Sequence, residues 1–139
     1  FLAEIEGQYD PSRVHFTGKL PYEQFIPLLQ LSACHVYLTY PFVMSWSLLE
    51  AMACGCAVVG SDTAPVRESI RHGHNGLLVD FFSPANLAAA VAELLQDRER
   101  AAAFGQAARR TVEATYDLDA CVTRQLALMD LVASRSITA

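Results

Sequence analysis

The sequence predicts an α/β fold in which helices cover both faces of a parallel sheet. The chain has 139 residues, of which 53% are hydrophobic and 18% charged, a composition that favours elements buried on two faces. Its apolar segments alternate between strand-like and helix-like spacing, which predicts parallel strands joined by right-handed crossovers. The length suits a single domain with its own core. We therefore expect one doubly wound, Rossmann-like unit over residues 1–139.

The first elements are a short strand and a helix interrupted by proline. Residues 14–17, "VHFT", alternate apolar and polar side chains and precede Gly18, the pattern of a strand followed by a turn. Helical spacing begins at Pro21. Pro27 removes a backbone donor and predicts a kink or restart in this helix. The apolar face of the helix comprises Phe25, Leu28 and Leu29.

The central part of the chain predicts a strand, a helix and a second strand. Residues 35–40, "HVYLTY", form a strand that Pro41 stops. A helix from about 46 to 54 ends at Gly55, which suits a left-handed C-terminal cap. Residues 56–62, "CAVVGSD", have the continuous apolar character of a strand buried within a parallel sheet.

The last third is mainly helical. A short helix over 65–73 and a strand over 76–80 precede Ser83, which caps a long helix that begins near Ala85. After the charged segment "QDRERA" the helical pattern resumes. The final helix spans 118–132 and carries an apolar stripe that we expect to be buried, formed by Leu118, Val122, Leu126 and Met129.

Composition argues against nucleic-acid and membrane-spanning functions. The formal net charge is −5 and no basic run occurs, so phosphate neutralisation has no evident source. No apolar stretch reaches the roughly 18 to 20 residues that cross a bilayer, and no signal-peptide pattern opens the chain. We expect a cytoplasmic piece of a longer protein without nucleic-acid partners. Peripheral membrane contact of that parent stays open.

Cysteine and histidine spacing favours structural roles over metal binding. Cys54 and Cys56 are the close cysteine pair, and no His or Cys stands at ligand spacing from them. We therefore predict that they fill the core and that no metal is bound. Asp62 follows a buried strand, where it either caps the next helix or faces a ligand, and we favour the cap.

Ligands of open parallel sheets bind beyond the carboxyl ends of the strands. These ends are residues 18–20, 41–45, 61–63 and 80–81 in the predicted sheet. The loop 42–45 leads directly into a helix N-terminus, where free amides and the helix dipole favour an anion. A phosphate group is thus a candidate ligand.

Glu50 is the one acid within a run of apolar and small residues, and two interpretations fit it. Ser47 and Glu50 have the spacing of a capping box, in which the acid bonds back to the backbone at the start of the helix. With Ser45 as the cap instead, Glu50 lies beyond the first turn and faces the ligand cleft. There its carboxylate accepts both hydroxyls of a ribose. The residues alone favour neither.

A family resemblance bears on this choice. The segment 48–79, "LLEAMACGCAVVGSDTAPVRESIRHGHNGLLV", resembles the donor-binding core of family 4 (group 1) retaining glycosyltransferases, and 14–38 resembles the segment before it. The resemblance extends from Val14 to about Tyr116. It implies the C-terminal donor domain of a GT-B enzyme with two Rossmann-like domains, without the acceptor domain and the first strands. It also favours the ribose interpretation of Glu50 by analogy.

The resemblance implies roles for further residues. Glu50 binds the nucleotide ribose, and the amides of Ser45 and Trp46 face the donor diphosphate. The remaining candidates for contact with the nucleotide sugar are Met44 and Phe42, together with Gly18, Lys19 and Leu20, which line the base.

The sequence departs from the family pattern in one loop. Phe42 stands where the family has the first acid of its E-x7-E pair, and residues 43–45 replace a glycine-rich loop. Phe42 either stacks on the donor sugar or packs against apolar neighbours. Either changed sugar preference or loss of activity follows from this departure.

The implied activity is transfer of a sugar from a nucleotide diphosphate sugar to an acceptor with retention of configuration. The resemblance implies no metal or cofactor, because basic side chains outside this sequence stabilise the departing diphosphate. We expect the chain alone to be inactive. Two alternatives remain, a non-catalytic nucleotide-binding or regulatory module and an architectural domain whose last helix docks on a partner.

Strand order predicts an incomplete sheet. In the order 3-2-1-4-5-6 the "VHFT" segment is strand 3 and "HVYLTY" is strand 4, and the two strands between them are absent. The sequence predicts that residues 14–17 are detached from the sheet, or that the exposed edge pairs with a second copy of the chain.

Overall fold

Three parallel strands form the sheet of the domain. The computed structural model describes residues 2–40 and 43–136. The strands are β1, His35–Tyr37, β2, Val58–Ser61, and β3, Leu77–Val79, in the spatial order β1-β2-β3. Val59 stands opposite Val36 of β1 and Leu77 of β3. The predicted parallel pairing is confirmed, and each strand is shorter than its apolar segment.

Helices precede and follow every strand. They are a short 3-10 helix, Leu2–Glu4, and six α-helices: α1, Tyr22–Leu31; α2, Trp46–Ala53; α3, Ala64–Arg67; α4, Pro84–Gln96; α5, Arg98–Tyr116; and α6, Leu118–Ser136. The predicted cap of α4 is confirmed, since the Ser83 hydroxyl accepts from the Asn86 N–H. Gly55 follows α2 with a φ of +77°, the predicted left-handed conformation.

Proline does not break α1. Pro27 lies inside this helix, which is continuous over its ten residues, so the predicted restart is wrong. Proline removes one backbone hydrogen bond, and the helix is held on both sides of it by packing. Phe25 and Leu29 both belong to the packed core.

The core consists of two clusters, one on each face of the sheet. Val58 and Val59, neighbours in β2, belong to different clusters because successive strand residues point to opposite faces. The first cluster includes Leu48, Met52, Val66, Ile70 and Ala108. The second includes Leu77, Val79, Ala90, Leu94 and Phe104. Helices thus cover both faces, as predicted, and α5 contributes to each cluster.

A contact between two glycines sets the distance of α5 from the sheet. Gly105 of α5 lies so close to Gly55 that a Cβ at position 105 would clash with the Gly55 carbonyl oxygen. The backbone of α5 therefore contacts the backbone of the turn between α2 and β2.

Residues 14–17 do not form a strand, so that prediction is wrong, although their expected detachment from the sheet is confirmed. Val14 and Phe16 are exposed, and the Phe16 ring contacts the Tyr9 ring edge to face. An extended segment without a neighbouring strand has no partners for its ladder hydrogen bonds. Pairing of the β1 edge with a second copy remains a prediction.

The apolar stripe of α6 is exposed, contrary to the expected burial. Exposure is 73% for Leu118 and 55% for Leu126, and no described residue of α6 belongs to either core cluster. The stripe therefore lies outside the core of the described chain. No helix in the described part of the chain has the length and apolarity needed to cross a membrane.

Candidate functional site

The end of β1 holds the start of α2. The Ser45 N–H donates to the Tyr37 hydroxyl at 2.8 Å, and the Ser45 hydroxyl accepts from the Ser47 N–H at 3.3 Å. Ser45 is therefore the N-cap. The capping box of Ser47 with Glu50 is excluded, because Ser47 already lies inside the helix.

Glu50 lies in the second turn of α2 and is half-buried. Desolvation raises the pKa of the Tyr22 hydroxyl, and the nearby negative charge of Glu50 raises it further. Tyr22 begins α1, two residues after Leu20. The acid thus lies neither in packed hydrocarbon nor in open solvent, and Tyr22 beside it closely follows the segment predicted to line a base.

The predicted base-lining loop is accessible. Gly18 has a φ of +62°, a left-handed conformation that its turn requires. Gly18 and Lys19 are exposed and Leu20 is half-buried. Sequence reasoning missed Tyr22, because its relation to Glu50 is a contact between two helices.

An apolar groove of about 510 Å³ opens beside the start of α2. One wall contains three residues of the predicted site, Met44, Ser45 and Trp46, together with Leu49. Trp46 is 82% exposed. The opposite wall comes from the end of α5 and the start of α6 and consists of Tyr116, Leu118 and Cys121.

Ser69 connects the two walls. Its hydroxyl lies 2.9 Å from the Tyr116 hydroxyl and 3.5 Å from the Met44 sulfur. Glu50 does not line the groove, and neither does any Lys or Arg among the described residues. The groove therefore offers apolar surface and a helix N-terminus rather than positive side chains.

Phe42 lies outside the described residues. Asp62 is described and does not cap α3, so that prediction is wrong. Its carboxylate accepts two hydrogen bonds from Arg67, at 2.6 and 2.8 Å, and these hold the pKa of Asp62 below its usual value. Thr63 takes the N-cap position of α3 without a side-chain cap bond.

Cys56 fills the core, as predicted. It is 3% exposed, its thiol donates to the Leu29 carbonyl, and burial raises its pKa to about 11. Cys54 is half-buried beside the same cluster. Within residues 2–40 and 43–136, no three His, Cys, Asp or Glu side chains form a group that holds a metal ion.

The profile of the family "Glycosyl transferases group 1" matches residues 7–111. The chain belongs to this family. The expected family is thus confirmed, and the match contains Glu50, Ser45 and the loop 18–20.

Relatives in this family are much longer than the chain. An uncharacterised glycosyltransferase of Methanocaldococcus jannaschii is 27% identical over 117 residues, 84% of this chain and 30% of that protein. An N-acetyl-alpha-D-glucosaminyl L-malate synthase of Bacillus anthracis is 31% identical over 80% of this chain and 29% of that protein. A GDP-mannose-dependent phosphatidylinositol monomannoside mannosyltransferase of Mycobacterium tuberculosis is 44% identical over 51% of this chain and 18% of that protein. The chain spans less than a third of these curated relatives.

Solved structures share the fold. Sucrose-phosphate synthase from Thermosynechococcus elongatus superposes with a TM-score of 0.81 at 26% identity, over 90% of this chain and 31% of that chain. HepE of Anabaena in complex with UDP and glucose gives a TM-score of 0.77 at 22% identity, over 89% and 33%. The predicted fold class is confirmed, a partial α/β domain of GT-B glycosyltransferases.

Proposed function

We propose that the chain is the donor-binding part of a retaining glycosyltransferase, which transfers a sugar from a nucleoside diphosphate sugar to an acceptor. The observation that carries the proposal is the half-buried Glu50 carboxylate beside Tyr22, one turn inside a helix that begins at the carboxyl edge of the sheet. Family membership supports it. So do the printed ligands and donors of relatives, UDP and glucose for HepE and GDP-mannose for the mannosyltransferase.

Each predicted residue has a role in this proposal. Glu50 accepts the two ribose hydroxyls, while Gly18, Lys19 and Leu20 border the base. The Ser45 amide already donates to Tyr37, so we assign the diphosphate contact to the neighbouring Trp46 amide and the dipole of α2. Met44 lies beside these groups in the groove wall. Phe42 keeps its two interpretations, stacking on the donor sugar or packing.

The protein's task in the reaction is to stabilise negative charge on the departing diphosphate. No cation of the described chain lines the groove, so we assign the neutralising Arg or Lys side chains to the part of the whole protein that this chain does not include. On this basis the chain alone binds donor and does not turn it over, and the whole protein needs no metal or cofactor.

Calorimetric titration of the chain with UDP, GDP and ADP tests the proposal. At least one of them binds, and Glu50→Gln weakens binding more than tenfold, because hydrogen bonds to a charged group contribute about 1.5–3 kcal/mol. The matched control is Glu113→Gln, an exposed acid of α5 that pairs with Arg109. Equal affinity of the Glu50→Gln and Glu113→Gln variants would contradict the assignment.

A non-catalytic nucleotide-binding module is the second candidate. It is favoured by the apolar groove and by Phe42 at the position of the family's first acid. A full-length parent protein that binds a nucleoside diphosphate sugar, requires Glu50 for binding and gives no turnover with any acceptor supports the module over the transferase.

A further inference from the structure

Three aromatic rings form a cluster on the surface where the strands end. Tyr40 follows β1, and Phe81 and Phe82 follow β3. Their centroids are 5.0 to 5.9 Å apart and all three pairs meet edge to face. Tyr40 is 61% exposed and Phe82 is 72% exposed. This ring cluster therefore packs on itself and presents much of its surface to solvent.

Ser61, the last residue of β2, holds the segment that leads to Tyr40. Its hydroxyl accepts from the Thr39 N–H at 3.0 Å and donates to the Thr39 carbonyl at 2.9 Å, while Val79 pairs with it on the other side. Tyr40 follows Thr39, which is bonded to Ser61, and Phe81 follows the strand that pairs with Ser61. The two rings therefore meet beyond the end of the central strand. This is the edge where open parallel sheets bind ligands.

Polar residues lie at the same edge of the sheet as the ring cluster. Asp80 is exposed, and its carboxylate accepts the Phe82 N–H at 2.9 Å. Asp62 lies at the end of β2 with its carboxylate bound by Arg67. Thr63 is only 8% exposed, and its hydroxyl has no hydrogen-bond partner among the described residues. That hydroxyl is enclosed by protein, so the accessible acceptor beside the rings is the Asp80 carboxylate.

The geometry excludes two kinds of ligand. Quaternary ammonium groups bind in cages between aromatic faces, and centroids 5.0 to 5.9 Å apart leave no room for one between these rings. A nucleoside diphosphate is disfavoured because two carboxylates, Asp62 and Asp80, stand at this edge against the single guanidinium of Arg67.

A neutral sugar ring fits both the exposed aromatic faces and the exposed carboxylate of Asp80. The C–H groups on one face of a pyranose carry partial positive charge, which is attracted to the negative face of an aromatic ring, and its hydroxyls donate to carboxylates. We propose that the ring cluster binds a pyranose ring, stacked on the exposed faces of Tyr40 and Phe82, with its hydroxyls directed to Asp80.

The position of the ring cluster identifies which sugar this is. It shares no lining residue with the groove, which holds the proposed diphosphate contact, so we do not assign the bound ring to the nucleotide. We assign the bound ring to the acceptor, and this last step alone rests on the proposed transferase function. Binding of a pyranose does not depend on it.

Nuclear magnetic resonance of the chain during titration with methyl α-D-glucopyranoside, methyl α-D-mannopyranoside and N-acetylglucosamine tests the proposal. We expect at least one of these sugars to shift the signals of Tyr40, Phe81 and Phe82. Phe82→Ala should weaken that binding about fivefold or more, the size of one lost aromatic contact. Phe16→Ala is the matched control, since Phe16 is 53% exposed in another edge-to-face pair.

Further variants separate stacking from packing and acceptor from donor. Phe82→Leu keeps apolar bulk and lacks an aromatic face, so it should lose binding as Phe82→Ala does, whereas wild-type affinity in it overturns the proposal. Glu50→Gln should keep pyranoside binding even where it loses nucleotide binding. The proposal is also overturned if all three sugars leave the ring signals unshifted, if Phe16→Ala and Phe82→Ala weaken binding equally, or if uridine or choline shifts the rings in preference to sugars.

Discussion

Helices α5 and α6 have the same length, 19 residues, and adjoin each other around Asp117. Five residues of α5 are buried: Ala101, Phe104, Gly105, Ala107 and Ala108. In α6 every described side chain is exposed except the half-buried Cys121. The two helices are therefore stabilised in different ways, α5 by tertiary packing and α6 by its own backbone.

Two hydrogen bonds attach the first turns of α6 to the end of α5. Asp117 caps the helix through the Ala120 N–H at 3.0 Å, and the Arg124 guanidinium donates to the Thr115 carbonyl at 2.7 Å. Most of the stability of a helix in a protein comes from tertiary packing of its apolar face. An amphipathic pattern therefore indicates what a helix can bury, whereas burial itself requires a complementary surface.

The largest expected effect lies in α5. Phe104 is 6% exposed within the second core cluster, and the Arg100 guanidinium lies 5.2 Å from its ring centre. Phe104→Ala should lower the free energy of unfolding by about 3–5 kcal/mol, because it removes a large buried ring and leaves a cavity. Urea denaturation measures this. A loss below about 1 kcal/mol, typical of surface changes, would show that α5 is not held by its buried face.

A smaller, pH-dependent effect distinguishes the core from α6. Burial raises the pKa of Cys56 from the usual 9.0 to about 11. The folded chain keeps this proton where the unfolded chain loses it, so stability is complete below pH 9 and falls as pH rises towards 11. The fall amounts to about 2–3 kcal/mol for two pKa units.

The measurement is urea denaturation at several pH values in that range. Cys56→Ala should show a flatter pH dependence than the wild type, and Cys121→Ala at the start of α6 should keep the wild-type dependence. Parallel profiles for wild type and Cys56→Ala would contradict the burial of this thiol.

The smallest expected effect lies in α6. Leu126 is 55% exposed, so Leu126→Ala should change the free energy of unfolding by no more than about 0.5 kcal/mol. The matched control is Leu94→Ala in α4, 1% exposed, which should cost about 2–5 kcal/mol. Hydrogen exchange should also be faster in α6 than in α5. A large loss in Leu126→Ala would mean that α6 is buried, for instance against a second copy.

Features fixed by local sequence were predictable. The β2 segment, the Ser83 cap and the left-handed Gly55 follow from apolar runs, side-chain capping and glycine's conformational freedom, which act within a few residues. Ser45 as the cap of α2 was one of two local alternatives, and the hydrogen bond from the Ser47 N–H to the Ser45 hydroxyl decides in its favour.

Features that depend on distant partners were not predictable. The alternation in residues 14–17 is strand-like, yet a strand needs a neighbour, and none is present in the described chain. The groove joins Trp46 to Tyr116, which are far apart in sequence, and Tyr22 meets Glu50 across two helices. In the candidate site, local patterns and the family resemblance predicted Glu50 and the residues of the first wall, while the second wall required the three-dimensional structure.

The contact between Gly55 and Gly105 has a consequence for the walls of the groove. The Gly55 carbonyl lies against the backbone of α5 at Gly105, so backbone contact sets the distance between the end of α2 and the middle of α5. Leu118 and Cys121 belong to α6, which has no such restraint. The groove therefore combines one wall set by a backbone contact with one wall held by the Asp117 cap and the Arg124 hydrogen bond to Thr115.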